Sequence, residues 1–166
     1  MSGTNTKIEV LGAKDAVRAL NKIEPGLRKQ FAVEATQIAQ PAISEAQSRY
    51  STIGVPLSGM NRAWSVNGRK LFPYNVAKAQ KGLKIKLEGD RRRTAVILLE
   101  QRDPAAAIFE SAGRANVNRL GTSLGQLKPG RTRVLGPALF KMRDQVSQRM
   151  EKAVLAVVNR VNRELQ

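Results

Sequence analysis

The chain has no cysteine and no histidine among its 166 residues. The first absence removes disulfides, thiolate metal sites and cysteine nucleophiles together. The second removes the commonest general base and the commonest metal ligand, so a hydrolase triad built on histidine is excluded. A metal would have to rest on carboxylates and carbonyls, which suit hard ions at most. Acids are few: 13 Asp and Glu stand against 29 Lys and Arg, a net charge of +16. Aromatics make up 4% of the chain, and the full set is Phe31, Tyr50, Trp64, Phe72, Tyr74, Phe109 and Phe140. The longest apolar runs, residues 95–99 and 153–158, are far shorter than the roughly 20 residues that span a bilayer. Residues 1–10 lack the basic flank and apolar run of a signal peptide. These absences lead us to expect a soluble protein from a reducing or redox-indifferent place, with no cofactor, no metal and no catalytic role.

What the chain does hold is enough apolar content, 42% of residues, for one folded domain over residues 1–166. Its positive charge is segregated. Residues 61–93 carry Arg62, Arg69, Lys70, Lys78, Lys81, Lys84, Lys86, Arg91, Arg92 and Arg93 against Glu88 and Asp90 alone. Residues 113–143 carry Arg114, Arg119, Lys128, Arg131, Arg133, Lys141 and Arg143 with no acid. Such segregation points to a region that faces a polyanion or an acidic partner. No helix-turn-helix spacing, zinc ligand set or interleaved aromatics marks a sequence-specific nucleic-acid reader.

Along the chain, residues 7–11 alternate with Ile8 and Val10 on one side and read as a strand. Val17, Leu20 and Ile23 recur at helical spacing over residues 13–23. Pro25 suits the first position of a second helix, whose stripe is Leu27, Phe31, Ala35, Ile38, Ala42, Ala46 and Tyr50. Pro41 falls within it and predicts a kink. Residues 51–59 read as a loop. Asn67-Gly68 predicts a tight turn between strands at 62–66 and 69–74. Leu83-Lys84-Ile85-Lys86-Leu87 alternates strictly, as a strand with one basic face does. Residues 94–101 follow as a β-rich run buried on both sides. Asp103-Pro104 predicts a capped helix over 105–112. Residues 113–136 are basic and glycine-rich and read as a long loop, the kind that is functional or orders on a partner. Pro137 opens a last helix to Leu165 with the stripe Leu139, Val146, Met150, Ala153, Val157, Val161 and Leu165. The predicted class is α+β: a small, mostly antiparallel sheet flanked by a long kinked N-terminal helix and a long C-terminal helix.

Several candidate sites fail on their own chemistry. Gly121-Thr122-Ser123-Leu124-Gly125 suggests a phosphate loop, but Lys128 is followed by Pro129, where a P-loop needs Ser or Thr at a helix start. Glu100, Asp103 and Glu110 are available as acids, yet no spacing pairs any two of them, and surface ion pairs are the expected use. Arg91-Arg92-Arg93 at a hairpin end is the densest charge run, suited to phosphate or to an acidic subunit.

Three stretches together resemble a known family, the small head–tail joining (neck, tail-completion or tail-terminator-like) proteins of long-tailed bacteriophages. The first is the opening: a short strand, Gly12, a helix with Leu20, then a long helix ending in Ala46 and Tyr50. The second is Pro56-Leu57-Ser58-Gly59-Met60 followed by Trp64, similar to the family's turn into the sheet. The third, Ala107-Ile108-Phe109-Glu110-Ser111-Ala112-Gly113, is similar to a small-aromatic-Glu-x-Gly stretch. The last helix departs from the pattern, because Pro137 is followed by Ala138-Leu139-Phe140 rather than by Phe-Leu. The resemblance implies a structural virion protein at the head–tail junction, made in the host cytoplasm. It would form a ring, expected to be hexameric, between the capsid connector or stopper and the tail-tube or tail-terminator proteins, with genome DNA passing through. On that reading Arg114, Arg119, Lys128, Arg131 and Arg133 make subunit or connector contacts. Lys84, Lys86, Arg91, Arg92 and Arg93 line the channel or meet an acidic partner. The alternative expectation is a sequence-independent nucleic-acid-binding protein.

Overall fold

A computed structural model describes residues 4–10, 25–89, 95–114 and 119–164. The helix predicted over 13–23 and the run Arg91-Arg92-Arg93 lie outside the described residues.

The longest N-terminal element is α1, Pro25–Ile53, with Pro41 inside an unbroken helix. Its buried positions Phe31, Ala35, Ala39, Ala42, Ala46 and Tyr50 recur every three or four residues, as one face of a 3.6-residue helix requires. The helix runs past the predicted loop start at residue 51, and the Gly54 amide closes it by donating to the Tyr50 carbonyl at 3.0 Å.

The strands are short. β1 is Thr4–Val10, β2 Trp64–Val66, β3 Arg69–Phe72, β4 Leu83–Gly89 and β5 Ala95–Gln101. They form a three-stranded sheet in the order β1-β5-β4 and a separate β2-β3 hairpin. The hairpin is antiparallel, with Ser65 opposite Lys70, Val66 opposite Arg69, and an irregularity after Trp64. Asn67 and Gly68 take φ of 50° and 73°, the left-handed pair that a two-residue type I′ turn demands. β4 and β5 are neighbours joined by residues 90–94 only, too short a link for a parallel crossover.

Three further helices are short. α2, Val76–Lys81, is an element the sequence pattern does not show; Asn75 caps it by accepting from the Lys78 amide at 3.0 Å. α3, Pro104–Ser111, begins as predicted, with Pro104 in its first turn and the Asp103 carboxylate accepting from the Ala106 amide at 2.9 Å. α4, Arg119–Leu124, interrupts the segment read as one long loop. The last helix, α5, is Leu135–Glu164; it starts two residues before Pro137. The class is α+β, as expected, with long helices toward both ends of the chain.

The chain forms two compact units. One comprises residues 7–42, 85–98 and 142–166; its buried side chains include Phe31, Ala35, Ala39, Leu98, Val146, Met150 and Ala153. The other comprises residues 1–6, 43–84 and 99–141 and buries Tyr50, Met60, Phe72, Tyr74, Leu99, Phe109, Val134, Leu135 and Leu139. Of the functional candidates developed below, all but Lys86 lie in this second unit.

Gly82 is a point of close approach there. A Cβ on it would stand 2.1 Å from Gln101 Oε1 and 2.8 Å from the Asp103 backbone nitrogen. That oxygen already accepts from the Asp103 amide at 2.8 Å, so it has nowhere to retreat without losing the bond. Gly82→Ala is expected to lower stability by about 2–3 kcal/mol, read as a lower denaturant midpoint at unchanged slope. An unchanged midpoint would contradict this packing.

Candidate functional site

The centre of the second unit is a buried acid. Glu110, fully buried on α3, receives the Tyr50 hydroxyl on Oε1 at 2.6 Å. Its Oε2 accepts from the Val134 amide at 3.0 Å, and its Oε1 from the Leu135 amide at 3.2 Å. These amides stand at the start of α5, where a helix leaves its first N–H groups without internal partners. A carboxyl from another helix is therefore the cap, aided by Thr132 Oγ1, which accepts from the Gly136 amide. Negative charge there also suits the helix dipole.

Gln101, 1% exposed at the end of β5, extends the network. Its Nε2 donates to Tyr50 Oη at 3.1 Å and to the Ala79 carbonyl at 2.9 Å. On the outside of α1, Gln80 Nε2 donates to the Gln47 carbonyl and to Ser51 Oγ. Lys141 donates to Glu45 at 2.9 Å, and this bond, with help from Arg49, holds the Glu45 carboxyl below its usual range.

Burial pushes the Glu110 carboxyl above the ordinary glutamate value, against the opposing pull of Tyr50 and of the amides of Val134, Leu135 and Arg133. Burial, then the nearby Glu110, likewise keeps the Tyr50 hydroxyl protonated far above the usual tyrosine range. The Tyr74 hydroxyl is buried with no hydrogen-bond partner among the described residues. Desolvation, with Asp103 and Glu110 near, pushes it up to about 12. None of these groups is positioned as a general base: each is committed to holding elements together or is shut away from solvent. Among the described residues there is no cluster of acids that would hold a metal ion, and no helix is long and apolar enough to cross a membrane.

The basic segment after α3 uses two of its arginines within the fold. The Arg133 guanidinium donates to the carbonyls of Leu124 at 2.8 Å, Ala112 at 2.7 Å and Gly125. It also lies 6.0 Å from the centre of the Phe109 ring. Arg114 turns back to donate to the Arg131 carbonyl. An unpaired run of cations reads as a solvated surface, whereas here the turns between the glycines leave carbonyls that two of the arginines satisfy. Gly113 permits this closure with φ of 85°, and a Cβ there would meet the Gly125 carbonyl at 2.8 Å. Arg119, Lys128 and Arg131 have exposed side chains, as do Lys84 and Lys86 on β4.

Glu110 departs from the surface ion pair expected of a lone acid. Its signal in the sequence is only its place in the small-aromatic-Glu-x-Gly stretch, and its partners lie 24 and 60 residues away. Of the other motif residues, Met60 and Phe109 are buried, while Ser58, Gly59 and Trp64 are exposed and Pro56 is half-buried. Trp64 stacks on Phe72 with ring centres 5.8 Å apart, and Tyr74 meets Phe109 edge-on at 6.2 Å.

No family model, curated protein or solved structure matches the chain.

Glu110→Ala would leave two amides and a tyrosine hydroxyl buried without their acceptor, a loss of about 3–5 kcal/mol, checked by denaturant unfolding. Because folding raises the pKa of Glu110, its contribution is complete below the unfolded value and is lost as pH rises through the folded one. Thermal stability should therefore fall with rising pH over that window more steeply in the native chain than in Glu110→Gln, which has no proton to lose. Parallel pH profiles of the two proteins would refute this assignment.

Proposed function

We propose that the chain is a structural subunit of the phage neck, forming a ring at the head–tail junction and performing no catalysis. The observation that carries the reading is the physical use made of the motif on which the resemblance rests. In the stretch from Ala107 to Gly113, the aromatic Phe109 fills the core and supports Arg133. Glu110 caps the last helix, and Gly113 supplies a left-handed turn with φ of 85° at the end of the stretch. The stretch Phe109-Glu110-Ser111-Ala112-Gly113 is thus used to build a strand–helix–loop–helix arrangement, in the order expected of such a subunit. On this reading the exposed cations Arg119, Lys128 and Arg131, and separately Lys84 and Lys86 on β4, face neighbouring subunits, the connector, tail proteins or passing DNA.

The same exposed cations favour a second reading, a protein that binds nucleic acid without sequence preference. Light scattering behind a sizing column, on nuclease-treated protein at low and high salt, separates the two. The neck reading expects a discrete ring, sixfold by negative-stain imaging, that survives high salt. A monomer that binds duplex DNA tightly, with affinity falling steeply as salt rises, would replace it with the second reading.

A further inference from the structure

Beside the β2-β3 hairpin the second unit carries an open hollow of about 320 Å³. Its lining includes Leu57, Met60, Trp64, Phe72, Leu120 and Arg62. The floor is firm, since Met60 and Phe72 are 2% and 6% exposed. One wall is not: Trp64 is 55% exposed although a face of its indole rests on Phe72. A large aromatic left half in water over an apolar concavity is an arrangement found at binding surfaces. The volume is at the small end of ligand pockets and suits one large apolar side chain.

Charge selects the occupant. From residue 54 to residue 87 the chain holds seven cations and no acid. Arg62 lines the hollow, Arg69 and Lys70 are exposed on the same hairpin, and Arg119 is exposed next to Leu120 on α4. A second copy of a chain with net charge +16 is a poor match for this rim. Among the described residues its most exposed large apolar side chain, Phe140, 76% exposed, is followed closely by Lys141 and Arg143. A nucleic acid matches the charge but not the shape, because base stacking uses a succession of open aromatic faces, and Tyr74 and Phe72 are buried here.

We propose that the hollow is a docking site for an acidic segment of another protein, which inserts one large apolar side chain against Trp64 while its carboxylates meet Arg62 and the hairpin cations. The site goes beyond the neck reading and stands without it.

Trp64 is the sole tryptophan of the chain, so its fluorescence reports the site directly. The probes are a panel of short acidic peptides, each with one central Phe, Leu, Ile or Met. With them go the same peptides carrying Ala at the centre, their lysine-substituted counterparts, and a short oligothymidylate. At least one apolar-centred acidic peptide should shift Trp64 emission to the blue, with binding weakened about tenfold or more by the central Ala and weakened further by salt. Leu120→Glu and Arg62→Glu, both at the rim, should each weaken it about tenfold with unchanged circular dichroism. Four results would overturn the proposal: no response to any acidic peptide, equal binding of the Ala-centred set, the same shift with oligothymidylate, or a shift that follows the protein's own concentration and disappears in Leu120→Glu.

Discussion

One carboxyl group organises the second unit. Helix α5 cannot begin inside a protein unless something accepts its first amides, and Glu110 reaches across from α3 to do so. An acid placed there needs donors on its other side, which brings in the Tyr50 hydroxyl from the end of α1. Tyr50 in turn accepts from Gln101, and Gln101 fixes both the Ala79 carbonyl and the Asp103 amide. Because Asp103 caps α3, the chain of bonds returns to the helix that carries Glu110. Each member is satisfied only when the others are in place, which is how a buried polar network specifies a single arrangement rather than merely adding stability.

Elements governed by local chemistry were legible in the sequence: the fourfold stripe of α1, the Asn67-Gly68 turn, the alternation of β4 and the Asp103-Pro104 start of α3. Those governed by distant partners were not. Helix α2 has six residues and one buried side chain, Ala79, too little for a period to register. Residues 94–101 read as a buried run, but what lets the polar Gln101 be buried at its end, the Ala79 carbonyl and the Tyr50 hydroxyl within its reach, is distant in sequence. For Arg133, the local signal of glycines and like charges pointed outward, and only the folded loop reveals the carbonyls it must serve. The resemblance drew attention to the stretch around Glu110, but its bonds to Tyr50, Val134 and Leu135 are visible only in the fold.

The distribution of positive charge looks different once those roles are assigned. Arg133 and Arg114 both bond to carbonyls of their own chain, so part of the loop's charge serves the fold. Arg119, Lys128, Arg131 and the hairpin cations are exposed, and Arg62 lines the apolar hollow. A surface of this kind suits long-range attraction of acidic groups, and the apolar concavity is the docking site proposed above. Acids are few in the chain itself, 13 against 29 cations.

The clamp made by Arg133 has a topological consequence. It joins the carbonyls of Ala112, Leu124 and Gly125 near one point, so the segment between them leaves and returns to the same place, as a handle does. Extra residues within a handle lengthen it without moving its attachments, and each doubling of its length adds only about 0.6 kcal/mol of closure entropy. The described stretch from Gln126 to Arg131, exposed at all positions but Leu127, begins just beyond that clamp and is held at its far end by the Arg114 bond to Arg131. The fold thus keeps residues 126–131 as a small appendage tied at both ends, whose length is free to vary while the capped start of α5 stays fixed.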